Sequence, residues 1–508
     1  MRTLAKQLEQ VQASNALLSA RVADLEAENR WLKQHLFGRS SEKRAAPPPA
    51  HQSWLFNEAD AIASPEDAIK AIKIPAHARK APGRRPIADD LPRIEVIHDL
   101  SDAEKICPKD GTPLECIGDE RSEQIDFIPA KLQVLRHIRL KYACPCCKGH
   151  VALAEKPEQI LPKSNAAPSL LAHIATAKYV DGLPLNRQEK QFHRLGLELP
   201  RATTANWMIK LGEAVVAVIN LLNDHLLDGP LIHCDETTVQ VLNSQKAPGA
   251  DHFMWVRAGG TAERKVLLFD YAPSRGAEVA KRLLAGFEGT LMTDGYEAYN
   301  GVAALYGLVH AGCLAHARRY FKDVTKTQPE ASAKAEIALD YIGRLYRIER
   351  EIKDRNNLPT REEWLGLRQE HSAPIMDAFK TWLDDLAPSL PPKSSLGKAV
   401  HYALGQWTKL TVFLDDPIVP LDNNACENAI RPFVIGRNNW LFSDTKAGAA
   451  ASARLYSLVE TAKANRVEPH AYLTHLFMNL PAAKTVDDFE ALLPWNVARL
   501  APNPRAGP

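Results

Sequence analysis

The stretch from residue 229 to residue 300 constrains the fold more than any other part of the chain. "PLIHCDETTVQVL", "HFMWVRAGG" and "KVLLFDYA" are short runs rich in β-branched and aromatic residues, with turn-forming residues between them. "GAEVAKRLLAGF" then spaces its apolar residues as an amphipathic helix does, and "GTLMTDGYEAY" opens as a strand. Three strands, a crossover helix and a parallel fourth strand make an α/β order. Asp235 falls on the first of these strands and Asp294 at the end of the fourth. On neighbouring strands, the two carboxylates would share a cation.

This order matches the opening of the RNase H-like fold. Two carboxylates hold a divalent ion poorly by themselves, and two-metal phosphoryl chemistry needs a third acid from another element. "LDNNACENAIRPF", residues 421 to 433, supplies Glu427. Asp422 is placed to cap a helix, after which Asn423, Asn424, Glu427 and Arg431 share one face at three- and four-residue steps. The expected site is Asp235, Asp294 and Glu427 around Mg2+ or Mn2+. The alternative is a structural Glu427–Arg431 pair inside a helical domain. The core is expected over residues 229–463, interrupted by an all-α insertion over 325–416, whose "AEIALDYIGRLYRIEREIK" is strongly helical. Just before it, "HAGCLAHARRYF" places Cys313 and His316 three residues apart, with His310 upstream. A second zinc site is conceivable there, although no fourth ligand is evident. Arg318, Arg319, Arg431 and Arg437 are candidate phosphate contacts.

Residues 1–45 read as a coiled coil. Leu4, Leu8, Val11, Asn15, Leu18, Val22, Leu25, Asn29, Leu32 and Leu36 alternate three- and four-residue steps, with Asn15 and Asn29 at core positions. Buried asparagines favour a parallel, in-register dimer, and Arg21 with Glu26 and Glu28 with Lys33 are complementary across it. A homodimer through residues 1–45 is therefore expected, against the alternative of one long helix packed on its own protein. Residues 46–90 are a Pro-rich linker in which Arg79, Lys80, Arg84 and Arg85 flank Pro82 and Gly83. Such an arm suits a narrow minor groove.

Five of the eight cysteines fall between Cys107 and Cys147. In a long chain lacking a secretion signal, such crowding favours a metal site over disulfides. Residues 91–160 are expected to form a zinc-ribbon-like module. Cys144 and Cys147 make one regular knuckle, and Cys107 begins another that either Asp110 or Cys116 completes, with Cys146 or His150 as substitutes. The run between the knuckles alternates as strands do and carries Arg136, Arg139 and Lys141 without an acid between them. Residues 161–228 have a helix-turn-helix-like outline, with a capped helix starting near Thr203 or Thr204. No apolar run reaches membrane length, and the amino terminus lacks the apolar block of a signal peptide. A cytoplasmic protein without membrane contact is expected. The formal charge of +2 does not itself announce a nucleic-acid partner, so local basic clusters carry that reading.

Taken together, "KSNAAPSLLAHIATAKYVDGLPLNRQEKQFHRLGLELPRATTANWM", "HCDET", "TDGYEAY", "HAGCLAHARRYF" and "DNNACENAIRPFVIGRNNWLF" resemble the transposases of the insertion-sequence 66 family. The resemblance runs from the leucine-zipper start to "LLPW" in the tail, residues 464–508. It implies a DDE enzyme with an RNase H-like core, with Asp235, Asp294 and Glu427 as the triad. It further implies double-stranded DNA as the partner of the ribbon and helical modules, and companion transposition proteins. The Cys-x2-His pair is similar to a motif of several DDE transposases that supports the core and the DNA, which casts His316 as a DNA-side residue. The first zinc knuckle departs from the family, with Asp110 where many members have cysteine. The expected activity is metal-dependent cleavage at element ends and strand transfer. The alternatives are a structure-specific nuclease on the same fold and a non-catalytic DNA-binding regulator descended from a transposase.

Overall fold

The computed structural model describes residues 132–143, 151–155, 158–244, 251–327, 331–354 and 359–500. The coiled coil, the basic arm with Arg79, Lys80, Arg84 and Arg85, and the cysteine cluster of Cys107, Asp110, Cys116, Cys144 and Cys147 lie outside the described residues. β1 (Lys141–Ala143) pairs antiparallel with β2 (Val151–Leu153). Ahead of β1, residues 132–140 are exposed and belong to no sheet, although their alternation suggested a strand. A strand forms only where a partner meets its ladder, and among the described residues β2 is the one offered.

Helices α1 (Pro168–Tyr179), α2 (Leu185–Arg194), α3 (Arg201–Ala214) and α4 (Val216–Leu227) follow. The expected cap at Thr203 or Thr204 is not used. Pro200 is the N-cap of α3, and the amides of Thr203 and Thr204 bond its carbonyl. Proline presets the extended-to-helical entry, and the Thr204 hydroxyl instead donates to the Arg201 carbonyl. α3 turns Thr204, Trp207, Met208 and Leu211 inward. Among the described residues no single helix is long and apolar enough to cross a membrane; the bent pair α3–α4 has sufficient length and composition, but its apolar side chains pack into the protein core.

Next come β3 (Leu231–Val239), β4 (Val241–Asn243), β5 (His252–Gly260), β6 (Lys265–Ala272), α5 (Ala277–Leu284), β7 (Thr290–Thr293), α6 (Ala298–Tyr306) and β8 (Val309–Gly312). A five-stranded sheet has the order β6-β5-β3-β7-β8. β5 is antiparallel to both β3 and β6, whereas β7 is parallel to both β3 and β8. Short connections permit only antiparallel neighbours, and the α5 and α6 crossovers permit parallel ones. β3 therefore becomes the central strand, and its middle lies level with the end of β7.

The helical layer contains α7 (Leu314–Thr327), α8 (Ser332–Lys353), α9 (Arg361–Leu367), α10 (Ala373–Leu386), α11 (Ser395–Gly405) and α12 (Trp407–Leu410). It has its own core, around Phe321, Ile342, Phe379 and Val400, which touches the sheet through Met292 and Ala311. Arg368 is buried within it. Its guanidinium forks onto Glu349 at 2.7 and 2.9 Å and donates to the carbonyls of Phe413 and Asp416.

The chain returns to the sheet with α13 (Asn424–Trp440), β9 (Ser443–Thr445), α14 (Lys446–Ala464), α15 (Pro469–Asn479), α16 (Val486–Ala491) and α17 (Pro494–Leu500). β9 pairs in parallel with β4. α14 closes the outer edge of the sheet, where β6 would otherwise present unpaired amides and carbonyls. Ser457 Oγ accepts from the Phe269 amide, and Thr461 Oγ1 both accepts from and donates to the backbone of Leu267. Just past the helix, the Asn465 amide does both for Lys265. Four residues of helix rise about 6 Å and two of strand about 6.8 Å, so a row at i, i+4 and i+8 meets every second strand residue.

Candidate active site

The parallel register of β3 and β7 runs as far as His233↔Met292, so Asp235 lies two residues beyond it on β3 and Asp294 two residues beyond it, just past β7. β7 ends at Thr293, and Asp294 begins a turn through Gly295, whose φ of +95° suits glycine. A Cβ there would lie 3.0 Å from the Tyr402 hydroxyl, which donates to the Asp294 carbonyl at 2.6 Å. The Asp294 carboxylate accepts from the Tyr296 amide at 2.9 Å. Helix α11 of the helical layer thus fixes the turn that presents this acid.

Glu427 comes from the first turn of α13, which packs on β3 and β5. Asp422 does bond the helix entry, accepting from the Asn424 amide and side chain, and it also accepts from Tyr346 of α8. Asn423 is the N-cap position but makes no side-chain cap. It does not share the outward face with Glu427. Fully buried, its Nδ2 donates to the Cys234 carbonyl and its Oδ1 pairs with His233 Nδ1, both at 2.9 Å. Its backbone amide donates to Cys313 Sγ. Three segments far apart in sequence are thereby pinned directly behind Asp235 and Glu427.

Asp235 feels the charges of Asp294 and Glu427, and Glu427 feels that of Asp294. Asp235 is pushed up to about 8, first by burial, then by the negative charges of Glu236, Asp294 and Glu427. Glu427 is raised chiefly by burial, with Asp422 and Asp294 adding and Arg319 and Arg431 opposing. Its Oε1 lies 3.5 Å from His316 Nδ1, and its Oε2 lies 3.6 Å from Arg319. His316 is held neutral, down to about 4, because burial and the Arg319 charge both disfavour its cation. Cys313, His316 and Glu427 place their ligand atoms within 4.8 Å of one another.

The other predicted contacts divide. Arg319 is half exposed beside Glu427, and Arg136, Arg139 and Lys141 are exposed near β1, where Arg139 donates to the Ala154 carbonyl. Arg437 turns to the end of β3, bonding the Thr238 carbonyl and the hydroxyls of Thr237 and Thr238. Arg318 is buried rather than surface-facing. His316 is half-buried and turned to Glu427 and Arg319.

Sequence reasoning missed Glu236. Strand alternation points it to the opposite face from Asp235. There its nearly inaccessible carboxylate takes Arg275 Nε at 2.6 Å and the Tyr299 hydroxyl at 2.7 Å. Arg275 in turn lies 3.9 Å over the Tyr296 ring. The doubled acid in "HCDET" was the available signal, but its cation is 39 residues away and tyrosines carry no motif.

Matches to known proteins bear on this geometry. The chain matches the family described as "Transposase IS66 family" over residues 163–451. It also matches the "zinc-finger binding domain of transposase IS66" over 104–148, the "IS66 C-terminal element" over 457–495, and "Transposase C of IS166 homeodomain" over 24–96. These parts define a transposase whose zinc-finger and homeodomain-like segments imply DNA as the partner. The chain belongs to the IS66 family of transposases. Among its relatives, y4jD of Sinorhizobium fredii (strain NBRC 101917 / NGR234) is 31% identical over 94% of this chain and 95% of its own length. Its companion y4qI is 31% identical over 97% and 92%. Both are described as uncharacterized.

Proposed function

We propose that this transposase cuts DNA at the ends of its insertion element and joins the freed 3′ ends to target DNA, with Asp235, Asp294 and Glu427 as the catalytic carboxylates. The observation that carries this reading is the electrostatic coupling of three buried or half-buried acids from β3, the β7 turn and α13. A sheet with three antiparallel strands followed by two parallel ones, and a helix bringing back the third acid, supports an RNase H-like core. The donor set fits a hard divalent cation, because crowded carboxylates in a low-dielectric site favour a counter-ion over a second proton. Asp235, Asp294 and Glu427 would hold Mg2+ or Mn2+, which supplies activation of the attacking oxygen and charge neutralisation at the phosphoryl group.

The chain's own residues do the positioning. Asn423 and Tyr402 hold the helix and turn that carry Glu427 and Asp294. Arg319, half exposed at the same site, is suited to a backbone phosphate, and Arg136, Arg139 and Lys141 to phosphates farther along the duplex. Arg431 acts through its charge on Glu427. The basic arm, the zinc-binding cysteines and a dimerising coiled coil would bring two element ends together in the cytoplasm, with or without companion proteins. Glu427→Gln is the test. It should keep DNA binding in a mobility-shift assay and lose strand transfer; transfer that survives removes Glu427 from the mechanism.

A further inference from the structure

The Cys-x2-His pair has no part in that reaction, yet it converges with Glu427 on one point. Cys313 Sγ, a ring nitrogen of His316 and a carboxylate oxygen of Glu427 lie within 4.8 Å of one another. His316 Nδ1 and Glu427 Oε1 face each other at 3.5 Å, and both atoms are buried without a hydrogen-bond partner. Two ligands bonded at about 2.0–2.1 Å to one tetrahedral ion stand roughly 3.3 Å apart. The observed 3.5 Å is close to that separation. Cys313 directly precedes α7 and His316 lies in its first turn, so the three-residue step turns both to one side. Burial pushes the Cys313 thiol well up, with the Asn423 amide, 3.2 Å from Sγ, opposing it, so the bound cation itself must draw off the thiol proton.

We propose that Cys313, His316 and Glu427 form a binding site for a borderline-soft divalent cation of the Zn2+ type, and that this site competes with the Mg2+ centre for Glu427. Thiolate and imidazole select against Mg2+, and three protein ligands leave a fourth position for water. On binding, the Cys313 S–H bond breaks, its proton passes to solvent and an S–metal bond forms; thiolate and carboxylate then neutralise the dication. Affinity falls as the pH is lowered, since protons compete for the ligands. The half-exposed Arg319, 3.3 Å from His316 Nε2, has room to move aside. Zinc occupancy withdraws Glu427 from Asp235 and Asp294 and inhibits the enzyme. Binding stands on the geometry alone, and only the inhibition rests on the function proposed above.

The full-length protein, stripped with chelator, is titrated with Co2+ and followed by thiolate-to-cobalt charge-transfer absorption and by equilibrium dialysis. The wild type should bind one more Co2+ per chain than Cys313→Ser or His316→Gln, because the cysteines of residues 104–148 are common to all three proteins. Equal stoichiometry and absorption in all three overturn the site. Circular dichroism checks each variant's fold, and if neither folds, the presence or absence of a zinc anomalous peak between the three side chains in wild-type crystals decides. In a Mg2+-driven cleavage assay, Zn2+ should reduce wild-type activity at least tenfold at a concentration that leaves the Cys313→Ser ratio near one. Equal inhibition of both refutes the competition. Failure of any cleavage with Mg2+ counts against the functional reading and leaves the cobalt result to judge the site.

Discussion

Replacing Asp235 by asparagine should stabilise the metal-free protein while abolishing its activity, and the size of the effect follows from the burial of that carboxyl. Folding raises its pKa from 3.8 to about 8, chiefly through desolvation and then through Glu236, Asp294 and Glu427. The folded state therefore holds this proton more tightly than the unfolded state. Its contribution is fully present below the unfolded value of 3.8 and is lost as pH rises through the folded value of about 8. At ~1.4 kcal/mol per pH unit the ceiling on that loss is about 6 kcal/mol. Local relaxation and water entry around a charged carboxylate bring the expected loss to the order of 2–3 kcal/mol. Asparagine keeps the shape and can still accept from the Glu236 amide, which bonds Asp235 at 2.8 Å, but it does not titrate. Urea denaturation in chelator should give a stability difference between Asp235→Asn and wild type that is near zero at about pH 4 and reaches roughly 2–3 kcal/mol in favour of the variant at about pH 8. Mn2+ should then stabilise the wild type, by about 2.7 kcal/mol at a hundredfold excess over Kd, and leave the variant nearly unchanged. A stability difference independent of pH, or equal stabilisation of both proteins by Mn2+, would refute the reasoning.

Two further substitutions probe how the scaffold holds the site. Arg368→Ala leaves Glu349 as an unpaired buried charge and frees the carbonyls of Phe413 and Asp416, so it should destabilise the protein by about 3–5 kcal/mol in urea melts. Pairing it with Glu349→Leu should recover part of the loss. Asn423→Ala strands His233 Nδ1 and the Cys234 carbonyl and should destabilise by about 1–3 kcal/mol. It should also weaken Mn2+ binding measured by calorimetry, because the start of α13 is no longer pinned behind Glu427; unchanged affinity would show that Asn423 serves packing alone.

Local pattern by itself determines a good deal of this protein. Alternation and turn residues mark β3, β5 and β6, a helical period marks α5, and the places of Asp235 on β3 and of Asp294 at the end of β7, just past its last residue, follow from that order. These features are readable because strand and helix periods are imposed by neighbours in sequence. The same logic overreaches at residues 132–140, which pair with no strand among the described residues, and at Thr203 and Thr204, where Pro200 already sets the helix entry.

Other features were decided only when distant segments met. Asn423 reads like its neighbours on the face of α13, but the approach of His233 and Cys234, some 190 residues upstream, turns it inward. Arg437, a plausible phosphate contact by charge, is claimed by the end of β3. Glu236 and Asp235 are adjacent letters with different environments, because pleating sends one toward Arg275 and Tyr299 and the other toward Asp294 and Glu427. Burial and charge partnership depend on which surfaces close over a group, and sequence neighbours do not carry that information. The chain alone therefore determined which elements form and which acids they carry. The tertiary structure decided which of those acids share a field, and that Cys313, His316 and Glu427 face one another.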